Sequence, residues 1–85
     1  MSKLSEHEIE TKWTKRAQNV LFGRTIVKCH YMSKENCEDW GWYKRPIVFE
    51  LDNGTVVVAQ CDDEGNDGGV LWYTDKSKED VMPVL

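Results

Sequence analysis

The sequence predicts an α+β fold: an N-terminal amphipathic helix packed on a small curled antiparallel sheet of four to five strands, an SH3-like partial barrel. Two observations predict it. Apolar residues recur at helical spacing only near the start of the chain, and short β-branched runs bounded by turn-forming residues fill most of the rest. The 85 residues are too few for two cores. We therefore expect a single domain, 1–85, with a helix at 5–22 and a β-rich part at 24–85.

Ser5 followed three positions later by Glu8 forms a capping-box pattern. Ile9, Trp13, Ala17, Val20 and Leu21 then define one apolar stripe. Acids occupy the first turns, Lys15 and Arg16 follow, and Glu8 with Lys12 is an i,i+4 pair. Gly23 is a natural stop. Thr25 to Met32 reads as a strand, with Val27, Cys29 and Tyr31 on one face unless a bulge intervenes. Ser33 caps a short helical turn over 34–39 that ends near Gly41, and Pro46 marks the start or edge of a strand.

A hairpin follows. Ile47 to Leu51 and Val56 to Gln60 flank Asp52-Asn53-Gly54-Thr55, and Asn53-Gly54 is the favoured two-residue type I′ turn. That turn sets Leu51 opposite Val56 and Phe49 opposite Val58. Ile47, Phe49, Leu51, Val56 and Val58 would then share one apolar face, ready to receive the helix stripe. Val70 to Thr74 is a further strand, 75–80 reads as a polar connection, and 81–85 as a last edge strand restrained by Pro83.

Charge narrows the function classes. Fifteen acidic and 11 basic residues give a net charge of −4. The stretch Asp62-Asp63-Glu64-Gly65-Asn66-Asp67-Gly68-Gly69 carries four carboxylates and no base, so the remainder sums to zero. An acidic chain lacks the footprint of a non-specific nucleic-acid binder. No apolar run has the length of a membrane span, and the start lacks the apolar core of a signal peptide. Three cysteines are an odd number for a disulfide framework. A cytoplasmic protein with reduced thiols is the expectation.

The features Tyr31-Met32, Gly41-Trp42-Tyr43-Lys44-Arg45-Pro46, Leu51-Asp52-Asn53-Gly54-Thr55 and Asp62 to Gly69 together resemble a family of small uncharacterised proteins of bacteria and phages. The resemblance runs from about Gly23 to the end, and its most specific block is the acidic one. It implies the fold and marks a surface, and it assigns no chemistry. A phage origin, which the resemblance permits, would make the partner a host protein to be inhibited or redirected.

The acidic loop invites two readings. Clustered oxygen ligands suit calcium, and Asp62, Glu64 and Asn66 fall at positions one, three and five of an EF-hand count. Asp67 stands where that loop needs glycine and Tyr73 where it needs glutamate, so only an irregular divalent-cation site at Asp62, Glu64, Asn66 and Asp67 remains as the alternative. The favoured reading is a protein-binding surface: Asp62, Asp63, Glu64, Asn66 and Asp67 beside Trp40, Trp42, Tyr43, Arg45, Trp72 and Tyr73. Such a surface suits a partner with a basic, partly apolar patch. Against it stands the reading of Trp42 and Trp72 as core residues.

Cys29, His30, Cys37 and Cys61 total four zinc-type ligands but lack C-x-x-C spacing, and Cys29 and Cys61 read instead as small apolar residues in neighbouring strands. No nucleophile motif or phosphate loop appears, and so small a domain offers little cleft to desolvate the loop carboxylates. We therefore expect no enzyme activity and no cofactor. A self-associating module, a homodimer through the 81–85 edge, is the third reading.

Overall fold

The structure is a computed structural model that describes residues 5–85. It is α+β, in the order α1 (Glu6–Leu21), β1 (Ile26–Tyr31), α2 (Lys34–Asp39), β2 (Ile47–Leu51), β3 (Val56–Val58), β4 (Leu71–Asp75) and β5 (Lys78–Met82). Both helices start where side-chain oxygens satisfy first-turn amides. Ser5 Oγ accepts from the Glu8 amide at 3.1 Å and donates to Glu8 Oε1 at 3.2 Å. Ser33 Oγ accepts from the Asn36 amide at 3.1 Å.

The end of α2 fixes the centre of the molecule. Gly41, at φ +72°, follows the cap residue Trp40, and its amide donates to Glu38 O at 2.9 Å. The Trp42 amide reaches Cys37 O, also at 2.9 Å. This paired closure is a Schellman motif, which brings the second residue beyond the cap against the last turn of the helix. Trp42 accordingly packs with Cys37, Met32 and Val48 in the buried cluster, with Val58 beside it. Pro46 is fully buried next to β2.

The strands divide into a three-stranded sheet, β1-β2-β3, and a separate β4-β5 pair, all antiparallel. The expected single sheet is thus split, and no barrel closes among the described residues. The β2–β3 register also differs from the two-residue-turn expectation. Val58 faces Val48, Val57 faces Phe49 and Val56 faces Glu50. The cause lies in the turn: the Gly54 amide donates to Leu51 O at 3.0 Å, Gly54 takes φ +87°, and the Leu51 amide donates to Thr55 O at 2.8 Å. Asp52, Asn53 and Gly54 therefore make a three-residue loop.

A one-residue slip sends side chains to the opposite face. Ile47, Phe49, Leu51 and Val57 lie on one side of the sheet, while Val48, Val56 and Val58 lie on the other. A bulge at Val27, between the Ile26 and Lys28 pairings, alters β1 in a similar way. No residue of α1 is buried, so the expected packing of the helix stripe is not realised. Lys12 lies over the Trp13 ring at 5.5 Å, where an ion pair with Glu8 was expected.

The β4–β5 pair corrects the reading of 75–80 as a connection. Asp75 pairs with Lys78 and Thr74 with Glu79, leaving Lys76 and Ser77 as a two-residue turn. The last residue of the sequence also pairs, though not as part of β5: Leu85 and Arg45 exchange backbone hydrogen bonds of 2.9 and 3.1 Å.

Candidate functional site: the acidic loop and its aromatic base

The eight residues that hold the excess charge form a folded turn, organised by two of its aspartates. Asp62 Oδ1 accepts from the amides of Glu64 and Asn66 at 3.1 and 3.2 Å, and the Asn66 side chain donates to Oδ2 at 2.8 Å. Such bonds favour the ionised form. The Asn66 side-chain amide, then its backbone amide, hold the Asp62 carboxyl below the usual carboxylate range.

Asp67 ties the loop to the rest of the chain. Its Oδ1 accepts from Lys44 N at 2.9 Å, Tyr43 N at 3.1 Å and Gly68 N at 2.8 Å. The Lys44 amide is the largest cause of its lowered pKa, joined by the Gly68 and Tyr43 amides and the Lys44 charge, against a smaller desolvation effect. Trp42 Nε1 donates to Gly65 O at 2.7 Å, pinning the loop from the core side. The far flank closes through Cys61 N to Asp67 O at 3.1 Å and Gly69 N to Ala59 O at 3.0 Å. Gly68 is buried where any β-carbon would strike Lys44 O and the Pro46 ring.

The geometry sorts the sequence-predicted residues. Asp62, Asn66 and Asp67 spend their polar atoms holding the loop's shape. Asp63 and Glu64 are exposed, and no ion pair engages either side chain among the described residues. Trp42 is corrected from contact residue to core residue: it is 5% exposed because the α2 closure turns it inward. Trp40, 53% exposed, meets the Trp42 ring edge to face at 4.8 Å, and Tyr43 is 91% exposed. Arg45 is anchored by Nε to Met32 O at 2.7 Å. It lines a pocket of about 560 Å³ with Lys34, Glu38, Trp42 and Tyr43.

Comparison with known protein families, curated proteins and solved structures finds no match. The site is therefore read from its own chemistry.

Trp72 is exposed, as a contact residue requires, but it lies on β4 opposite Val81, and no described hydrogen bond joins it to the loop. Tyr73 likewise sits on β4, opposite Asp80. The structure instead brings Trp13 to the acidic residues: Trp13, Val58, Asp62 and Asp63 line one cavity. Sequence reading assigned Trp13 to the buried stripe. Its neighbours Lys12 and Arg16, both stacked over the ring at about 5.5 and 5.3 Å, were the available sign of a solvated tryptophan.

Among the described residues, no three of His, Cys, Asp and Glu form a group able to hold a metal ion. The considered cation ligands Asp62 and Asp67 accept amide hydrogens instead. Cys37 is buried, donating to Trp42 O at 3.2 Å, while Cys29 and Cys61 are exposed rather than packed between strands.

Proposed function

We propose that this protein is a non-enzymatic binding module that contacts another protein through the acidic loop and the aromatic residues beside it. The observation that carries the reading is the bonding of Asp67 to the Tyr43 and Lys44 amides, together with Trp42 to Gly65. It holds the tip in one shape and leaves Asp63 and Glu64 free to meet cations, with Trp40 and Tyr43 exposed on the adjoining segment. A preformed charged loop beside rigid rings loses little conformational entropy on binding. The partner presents a basic, partly apolar patch. If the chain is phage-encoded, as the resemblance to bacterial and phage proteins permits, that partner is a host protein met in the cytoplasm.

The test replaces Asp63 and Glu64 together by Asn and Gln, sparing Asp62 and Asp67 because these shape the loop. Affinity purification from the native cell should recover a partner with the wild-type chain and lose it with the double variant, at unchanged circular dichroism. Equal recovery overturns the reading. Calorimetric titration with calcium, in which uptake tighter than millimolar would favour a cation site, separates the alternative.

A further inference from the structure

β3 stands at the edge of its sheet. Its bonds to β2 pass through alternate residues: Leu51 N donates to Thr55 O at 2.8 Å and Ala59 N to Ile47 O at 3.5 Å. Antiparallel pairing places the intervening residues with their backbone groups facing away from the partner strand. Val56 and Val58 therefore turn N–H and C=O outward, and no other backbone group among the described residues answers them. Across from this edge, Trp13, Ala17, Val20 and Leu21 of α1 form a wall that is apolar but for Arg16, whose guanidinium lies over the Trp13 ring, and about 440 Å³ of groove separates the two. The groove continues past Trp13 and Val58 to the carboxylates of Asp62 and Asp63.

We propose that this groove binds an extended segment of a partner protein, added to β3 as a further strand. Unmet ladder groups call for a strand, because a helix has already spent its own backbone donors and acceptors. The apolar wall calls for alternate aliphatic side chains on that segment. Asp62 and Asp63 at one end call for a lysine or arginine there. A second copy of this chain, paired antiparallel through β3, would set its Asp52-Asn53-Gly54-Thr55 turn against Asp62 and Asp63, and that turn carries an aspartate and no lysine or arginine. The inference rests on the protein-binding reading and specifies the form of the partner.

The experiment uses the full isotope-labelled chain with the synthetic peptide acetyl-Lys-Lys-Val-Thr-Val-Thr-amide, followed by amide hydrogen exchange and chemical shifts. Binding should slow exchange at Val56 and Val58 by about tenfold or more. Methylating alternate backbone nitrogens of the peptide should abolish that protection with the protein itself unaltered. Exchanging Lys-Lys for Glu-Glu, or Asp63→Asn in the protein, should weaken binding by about threefold or more. No change at Val56 and Val58 up to millimolar peptide overturns the proposal. Shifts confined to Trp40 and Tyr43 overturn it too, while leaving the acidic surface as a binding site. Protection of Val56 and Val58 without peptide, accompanied by a dimer in sedimentation, would assign the edge to self-association and equally overturn it. Loss of partner recovery with the Asp63 and Glu64 double variant reads the broader function separately.

Discussion

At the scale of single residues, chemically similar carboxylates do different work a few positions apart. Asp67 meets three backbone amides, whereas Asp63 meets none. Asp67→Ala should therefore lower the melting temperature and weaken the Trp42 bond to Gly65, while Asp63→Ala should leave both unchanged. Thermal denaturation and the Trp42 indole proton resonance provide the measurements. Acid should reproduce the first effect. Asp62 and Asp67 titrate below the ordinary carboxylate range in the folded chain, so the unfolded chain binds protons first. Their stabilisation is complete at neutral pH, erodes once pH drops below the usual carboxylate value, and is gone below the depressed folded values. An acid titration of the same indole resonance should follow that course, and a resonance that stays fixed into strong acid would refute it.

At the scale of elements, local signals were legible wherever one side chain or one glycine decides the outcome. Ser5 and Ser33 begin both helices, and Gly41 ends α2 as its spacing suggests. The β2–β3 turn shows the limit. Asn53-Gly54 identifies a hairpin, but two-residue and three-residue loops both accept glycine there, and only the observed bonds choose between them. The slip moves Val56 and Val58 off the face of Ile47, Phe49 and Leu51 and puts Val57 there, so one ambiguous residue in the turn changed which residues share that face. In the site, the cluster itself was visible. The role of Asp67 among the carboxylates was not, since it depends on amides more than twenty positions earlier, whereas Asp62 bonds locally to Glu64 and Asn66. The β4–β5 turn is a further case: Lys76 sits at φ +59° where glycine would be unstrained. Lys76→Gly should stabilise this hairpin by about 1 kcal/mol, measurable as slower amide exchange across β4 and β5.

At the scale of the whole molecule, exposure exceeds what the mass requires. A compact protein of 9.9 kDa exposes about 5200 Å², and this chain exposes 7170 Å². The excess is larger than the roughly 800 Å² that one partner contributes to a standard interface. The radius of gyration, 15.4 Å, likewise exceeds the approximately 12 Å of a compact chain of this length. Elements without buried contacts open at the lowest cost. Amides of α1 should exchange well ahead of those in β2, which holds Ile47, Val48 and Leu51 in the interior. Equal protection in the two elements would show that α1 is packed in solution.

Cys37 lies within the interior cluster, while Cys29 and Cys61 face solvent. Alkylating reagents should consume two thiols at once and reach the third only when the α2 closure parts. The chain thereby carries its own stopwatch for the breathing of its centre, readable by mass spectrometry without any engineered label.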